Sequence, residues 1–169
     1  MRNLEVKARC PDLEAARARA ERLGARAAGA FRQRDTFFAA PLGRLKLRVV
    51  DDGGAELIAY RRADASRAHA SEYLIYRSGD APALHATLAH ALGAAGVVEK
   101  RRCLYLYGHT RIHLDEVCGL GTFVELETVL DGQPEAEARA ELESVVAALG
   151  LRTGDFVAGA YVDLPRVDA

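Results

Sequence analysis

Residues 111–127, RIHLDEVCGLGTFVELE, decide how the fold is read. Arg111, His113 and Asp115 recur at i, i+2, the spacing that turns side chains to one side of an extended chain. Glu125 and Glu127 repeat that spacing after Gly119-Leu120-Gly121, which reads as a turn. The stretch therefore predicts a β-hairpin with ionisable residues sorted onto one face. No GxxxxGK[ST] occurs anywhere, so these glycines are better read as a turn than as a phosphate cradle.

The same period continues outward. Strands are expected over residues 3–10, 33–39, 44–50, 55–62, 72–77, 97–107, 111–117 and 123–129, with further turns at Asp51-Asp52-Gly53-Gly54 and Gly108-His109. Three segments change to helical spacing. Leu13, Ala16, Ala20 and Leu23 share a face after Pro11-Asp12 and stop at Gly24. Leu84, Leu88 and Leu92 do so between Asp80 and Gly93, and Leu142, Val145, Val146 and Leu149 between Pro134 and Gly150. Roughly eight strands in mostly sequential hairpins predict an antiparallel α+β protein with flanking helices, its sheet either open or closed into an eight-stranded antiparallel β-barrel, in one domain over residues 1–169.

Composition narrows the function classes. The 169 residues are 50% hydrophobic and 28% charged, with a net charge of −1, as in a soluble globular domain. Neutrality argues against generic nucleic-acid binding. No apolar run is long enough to span a bilayer and the start lacks a secretory core, so no membrane partner and a cytoplasmic location are expected. Cys10, Cys103 and Cys118 make neither a disulfide framework nor a zinc ribbon, and Cys103 and Cys118 read as buried thiols. His85 and His90 are five apart on a helix, the wrong spacing for joint ligation. Of the 23 basic residues only Lys7, Lys46 and Lys100 are lysines. In so arginine-rich a chain, a retained Lys marks a position where a compact ammonium is needed.

All three lie on polar strand faces. Lys7 alternates with Leu4, Val6 and Ala8; Arg44, Lys46 and Arg48 alternate with Leu45, Leu47 and Val49; Lys100 and Arg102 share one face. A wet sheet surface would account for any one of these strands. Together they are sorted by sign, basic on these strands and acidic at Glu125 and Glu127, where a merely solvated face would mix charges. Paired carboxylates suit Mg²⁺ or Mn²⁺, and converging Lys and Arg side chains suit a polyphosphate. The pattern points to phosphoryl-transfer chemistry without a P-loop.

Asn3-Leu4-Glu5-Val6-Lys7 resembles the ExExK strand that opens the CYTH proteins, the triphosphate tunnel metalloenzymes. The resemblance continues through RDTFF at 34–38, GRLKLR at 43–48, ELIAYRR at 56–62, VEKRR at 98–102, the 111–127 stretch and GAYVDL at 159–164. It implies a barrel whose charged faces line a tunnel. By motif matching, Glu5, Asp115, Glu125 and Glu127 would hold the metal, Mg²⁺ or Mn²⁺. Lys7, Arg44, Lys46, Arg48, Arg62, Lys100, Arg102 and Arg111 would hold a triphosphate, with Arg44 and Arg111 towards the mouth. Lys7, Glu5, Glu125 and Glu127 would be catalytic. Arg62 is chosen over Arg61 because it shares parity with Glu56. Asn3 replaces the first Glu of the family pattern, which keeps an oxygen donor and removes a charge.

The implied substrate is a triphosphate: ATP, inorganic triphosphate or thiamine triphosphate. Its chemistry is that of a class IV adenylyl cyclase by preference, with a triphosphatase as the alternative and a non-catalytic polyphosphate- or nucleotide-binding module as the third reading. His113 is open between an acid/base or phosphate contact and a structural tunnel residue. Tyr105, Tyr107 and Tyr161 read as packing residues, Tyr161 within a motif that would close one tunnel end. Oligomeric state, a homodimer included, is open.

Overall fold

The computed structural model describes residues 2–51, 54–62 and 68–166, the side chain of Arg62 excepted. The strands are β1 (Arg2–Arg9), β2 (Arg26–Phe38), β3 (Arg44–Val50), β4 (Ala55–Arg62), β5 (His69–Ser78), β6 (Ala94–Tyr107), β7 (Thr110–Val117) and β8 (Gly121–Val129). They close into a barrel in the order β1-β5-β4-β3-β2-β6-β7-β8, every pairing antiparallel. Helix α1 (Leu13–Leu23) joins β1 to β2, α2 (Ala81–Leu92) joins β5 to β6, and α3 (Glu135–Leu149) follows β8. Five hairpins join sequence neighbours, and closure comes from the β1–β5, β1–β8 and β2–β6 pairings.

The helices end where local chemistry stops them. Asp12 and Asp80 cap α1 and α2 by accepting the Ala15 and Ala83 N–H groups at 2.9 Å. Gly24 and Gly150 turn left-handed at the ends of α1 and α3.

Parity then divides the barrel wall. The outward residues Leu4, Val6, Ile112, Leu114, Val124 and Leu126 are buried with Ala16 and Ala20 of α1 and Leu142, Val145 and Leu149 of α3. A smaller cluster joins Phe38, Leu47 and Ala55 to Leu84 and Leu88 of α2. Burying one such side chain is worth about 1.5–3 kcal/mol, so the main apolar core lies outside the barrel, between wall and helices. That location leaves the lumen free for polar groups.

Several expectations need adjustment. Strand β2 begins at Arg26, seven residues before the predicted start. Its first five residues are exposed, so no face imposes alternation, and among the described residues only pairing with β6 holds them, with a register shift between Ala27 and Gly29. Strand β5 extends the predicted 72–77 at both ends. Leu92, expected inward, is 39% exposed at the last turn of α2. Cys118 is exposed because it lies in the β7–β8 turn, and Cys103 is half-buried. Positions 52 and 53 of the predicted β3–β4 turn lie outside the described residues.

A charged tunnel with one plugged end

The inward faces enclose a cavity of about 420 Å³ lined by residues of all eight strands. At one end Phe37, Val98, Val117, Leu120 and Phe123 pack with Ala160 and Tyr161 from the segment after α3. Gly159 at φ +78° turns this segment inward and presents its carbonyl, which accepts the Lys7 ammonium at 2.9 Å. Tyr161 plugs this end. Its ring lies 4.0 Å from Lys7 Nζ and 4.7 Å from Lys100 Nζ, and its hydroxyl donates to Asp115 at 3.0 Å. At the other end Glu56, Arg77 and Arg111 reach solvent among Phe31, Val50, Ile75 and Leu104.

Two buried carboxylates organise the cations. Asp115, fully buried, accepts Lys100 at 2.9 Å and both arms of Arg102 at 2.7 and 2.6 Å. Asp35 accepts Lys46 at 2.9 Å and Arg48 in a fork at 3.0 and 3.1 Å. Burial pushes both acids upward, but the facing Arg102 and Lys100 charges at Asp115, and Arg48 and Lys46 at Asp35, hold them below the ordinary carboxylate range. The lysines respond oppositely. Burial, and then repulsion from Arg48, brings Lys46 down to about 8; burial and Arg102 lower Lys100.

The remaining acids face the middle of the tunnel. Register places Glu5 opposite Glu127 and Lys7 opposite Glu125 across β1–β8, and His113 opposite Glu125 across β7–β8. Glu125 Oε2 accepts Arg102 at 2.6 Å, and Lys7 and Lys100 stand 4.0 and 3.9 Å from its carboxylate. Burial raises Glu125, yet the Lys7, Lys100 and Arg102 charges around it leave it well below its ordinary value. Ligand atoms of His113, Glu125 and Glu127 lie within 4.8 Å of one another. Two carboxylates and an imidazole nitrogen in one enclosed space fit a divalent ion. Glu5 lies near them, its Oε1 3.4 Å from His69 Nε2.

The structure thus gathers Glu5, Lys7, Lys46, Arg48, Lys100, Arg102, Arg111, Glu125 and Glu127 around one cavity. Arg44 is not among the cavity-lining residues; it pairs with Asp163 at 2.7 Å beside the plug. Arg111 is at the solvent end, 41% exposed and 3.5 Å from Glu127. Asp115 is turned towards Lys100, Arg102 and Tyr161 rather than into the His113/Glu125/Glu127 group. Arg62 pairs in register with Ser71, and its side chain lies outside the described residues. Asp35, within the RDTFF motif, was not among the expected site residues; parity puts it on one strand face with Gln33 and Phe37, and the structure turns that face into the lumen. The apolar lining by Ile58, Tyr60, Tyr73 and Ile75 carried no sequence signal of its own, because such residues read as ordinary core.

Comparison with known proteins agrees with this architecture. The PH1012 protein of Pyrococcus horikoshii is similar at 27% identity, over 96% of this chain and 98% of that one, with a TM-score of 0.84. A candidate adenylate cyclase from Vibrio parahaemolyticus matches at 20% identity over 94% of each chain, TM-score 0.75. A candidate adenylyl cyclase from Hippeastrum, with a dominant triphosphatase activity, matches at 16% identity over 95% of this chain and 92% of that one, TM-score 0.63. No curated protein matches the chain. The CYTH domain matches residues 1–161, nearly the whole length, and this chain therefore belongs to the CYTH family.

Proposed function

We propose that this protein is a divalent-metal-dependent enzyme acting on a nucleoside triphosphate, converting ATP to cyclic AMP and pyrophosphate. The observation that carries the proposal is the order of groups along the tunnel. Lys7, Lys46 and Lys100 border the plugged end, in contact with Tyr161 or with Phe37 and Tyr60. On their own strands Glu5 and Glu127 come nearer the solvent end than Lys7 and Glu125, and beyond them the lining turns apolar at Phe31, Val50, Ile75 and Leu104. A triphosphate entering with its terminal phosphates towards the lysines keeps its organic group in the apolar mouth. The α-phosphorus then lies beside the carboxylates, which favours rupture of the bond to the β-phosphate.

In this reading Glu5, Glu125 and Glu127 hold Mg²⁺ or Mn²⁺, which when bound supplies Lewis-acid activation of the ribose 3′-oxygen. Lys7, Lys46, Arg48, Lys100 and Arg102 orient the β- and γ-phosphates and stabilise the charge that develops on departing pyrophosphate. Asp115 and Asp35 hold those cations in place before substrate arrives, so little reorganisation is left for the reaction. The closed end excludes water from the terminal phosphate, and this favours cyclisation over hydrolysis there.

The test offers ATP, inorganic triphosphate and thiamine triphosphate in parallel, with Mg²⁺ or Mn²⁺. Cyclic AMP with pyrophosphate supports the cyclase. Orthophosphate from inorganic or thiamine triphosphate replaces it with a triphosphatase, and tight triphosphate binding without turnover replaces both with a binding module.

A further inference from the structure

His113 is 5% exposed, and its Nδ1 is buried without a hydrogen-bond partner among the described residues. It lies 3.8 Å from Glu127 Oε1 and 3.9 Å from Glu125 Oε2, beyond hydrogen-bond reach of either and roughly equidistant from both. A buried polar atom left unpaired is destabilising, and such atoms normally have a partner. Two strands hold the arrangement rigidly, because His113 and Glu125 are register partners across β7–β8 and Glu127 follows two residues on.

We propose that His113 Nδ1 is a metal ligand alongside Glu125 and Glu127, and that this nitrogen makes the site select a first-row transition ion of the Mn²⁺ class over Mg²⁺. The inference rests on the reading of Glu125 and Glu127 as metal ligands and adds to it the identity of the ion. Donors around an ion at about 2.2 Å stand roughly 3–3.6 Å apart; the two histidine–carboxylate separations exceed that by a few tenths of an ångström, and all three atoms lie within 4.8 Å of one another, so side-chain rotation alone can bring them together. Mg²⁺ takes oxygen donors almost exclusively, whereas imidazole strengthens binding of first-row transition ions.

The electrostatic setting favours the same choice. Glu125 Oε2 already accepts Arg102 at 2.6 Å, with Lys100 at 3.9 Å, so much of its charge is committed. A hard ion that relies on carboxylate charge meets a partly neutralised pair. A neutral nitrogen donor adds affinity for a softer ion without adding to the charge of a tunnel already crowded with ions.

The experiment strips the protein of metal and titrates Mn²⁺ by the loss of its free electron paramagnetic resonance signal, with Mg²⁺ measured by competition and no triphosphate present. His113→Gln is expected to weaken Mn²⁺ binding by at least about tenfold, a loss that even an outer-shell partner can cause. Mg²⁺ binding should change much less, so that the Mn²⁺/Mg²⁺ preference collapses. Independently of any variant, wild-type protein loaded with Mn²⁺ should show histidine nitrogen coupling in spin-echo spectra, altered by ¹⁵N-histidine labelling. Mn²⁺ binding that survives in His113→Gln but is lost in Glu125→Gln, or spectra without nitrogen coupling, overturns the histidine ligand and leaves the carboxylate site. Binding unchanged in His113→Gln, Glu125→Gln and Glu127→Gln alike overturns both.

Discussion

In the β7–β8 hairpin the outward residues Ile112, Leu114, Val124 and Leu126 are sealed beneath α1 and α3, while the inward ones include Arg111, His113, Asp115, Glu125 and Glu127. In the β4–β5 hairpin the inward residues include Ile58, Tyr60, Tyr73 and Ile75, and outward Leu74 and Tyr76 are 75% and 62% exposed. Both hairpins alternate and both face the same lumen. Their difference shows that the tunnel has a charged wall supported by a packed apolar layer, and an apolar wall with thin external support. Ionised groups held at fixed positions need backbone that does not yield, and the helices provide it on the side where the charges are.

The charged wall should break first. Glu125→Ala or Glu127→Ala is expected to lower metal-dependent turnover by at least about 100-fold, since a bound metal is worth several kcal/mol to the reaction. Circular dichroism should remain native; wild-type rates in both variants would remove the metal assignment. Arg102→Ala leaves Asp115 fully buried with one partner fewer, and breaking such a buried pair costs about 3–5 kcal/mol. A large drop in unfolding midpoint is expected, while a midpoint within a degree of wild type would mean that Lys100 and Tyr161 suffice.

Leu126→Ala tests the support behind that wall, with about 2–5 kcal/mol of stability at stake in denaturant unfolding. Leu74→Ser, on the uncovered side, should stay within about 0.5 kcal/mol. Equal losses from the two would erase the distinction between the walls.

Lys46 gives the most specific effect. Lys46→Ala should weaken triphosphate binding roughly tenfold or more, the scale of a charge-assisted hydrogen bond, and monophosphate binding far less. Its ammonium titrates at about 8 in the free protein, below the ordinary lysine value, because burial and Arg48 disfavour the charge. A bound triphosphate favours the charged form and raises that value, so affinity is greatest below pH 8 and falls as pH rises above it. Lys46→Arg should keep affinity to higher pH; an identical profile in the two proteins would exclude Lys46 as the titrating group. The stability consequence has its own sign. Between about pH 8 and the ordinary lysine range the unfolded chain binds more protons at this position, so the Lys46 contribution makes stability rise with pH across that window.

Much of this was legible in the chain. Eight strands, three helices and their stops follow from periods of two and 3.6 with capping residues, all short-range signals. The N-terminal half of β2 was missed because alternation is written only where one face is buried and the other is not. Within the site, parity placed Lys7, Lys46, Lys100, Glu125 and Glu127 on polar strand faces, and only the family resemblance implied that those faces turn inward. It gave no account of which acid meets which cation, so Asp35 as the partner of Lys46 and Arg48 went unrecognised.

By itself, then, the sequence determined the side of each strand on which a residue stands, because a strand's two faces are set by its own backbone. Tertiary structure alone decided which faces meet. Closure through β1–β5, β1–β8 and β2–β6 joins residues far apart in the chain, and no local pattern encodes that register. It turned Asp115 towards Lys100, Arg102 and Tyr161, brought residues 157–164 across one end, and aimed His113 at two glutamates. Coulomb interactions and metal coordination act over a few ångströms, so the chemistry of this tunnel exists only once the barrel is shut.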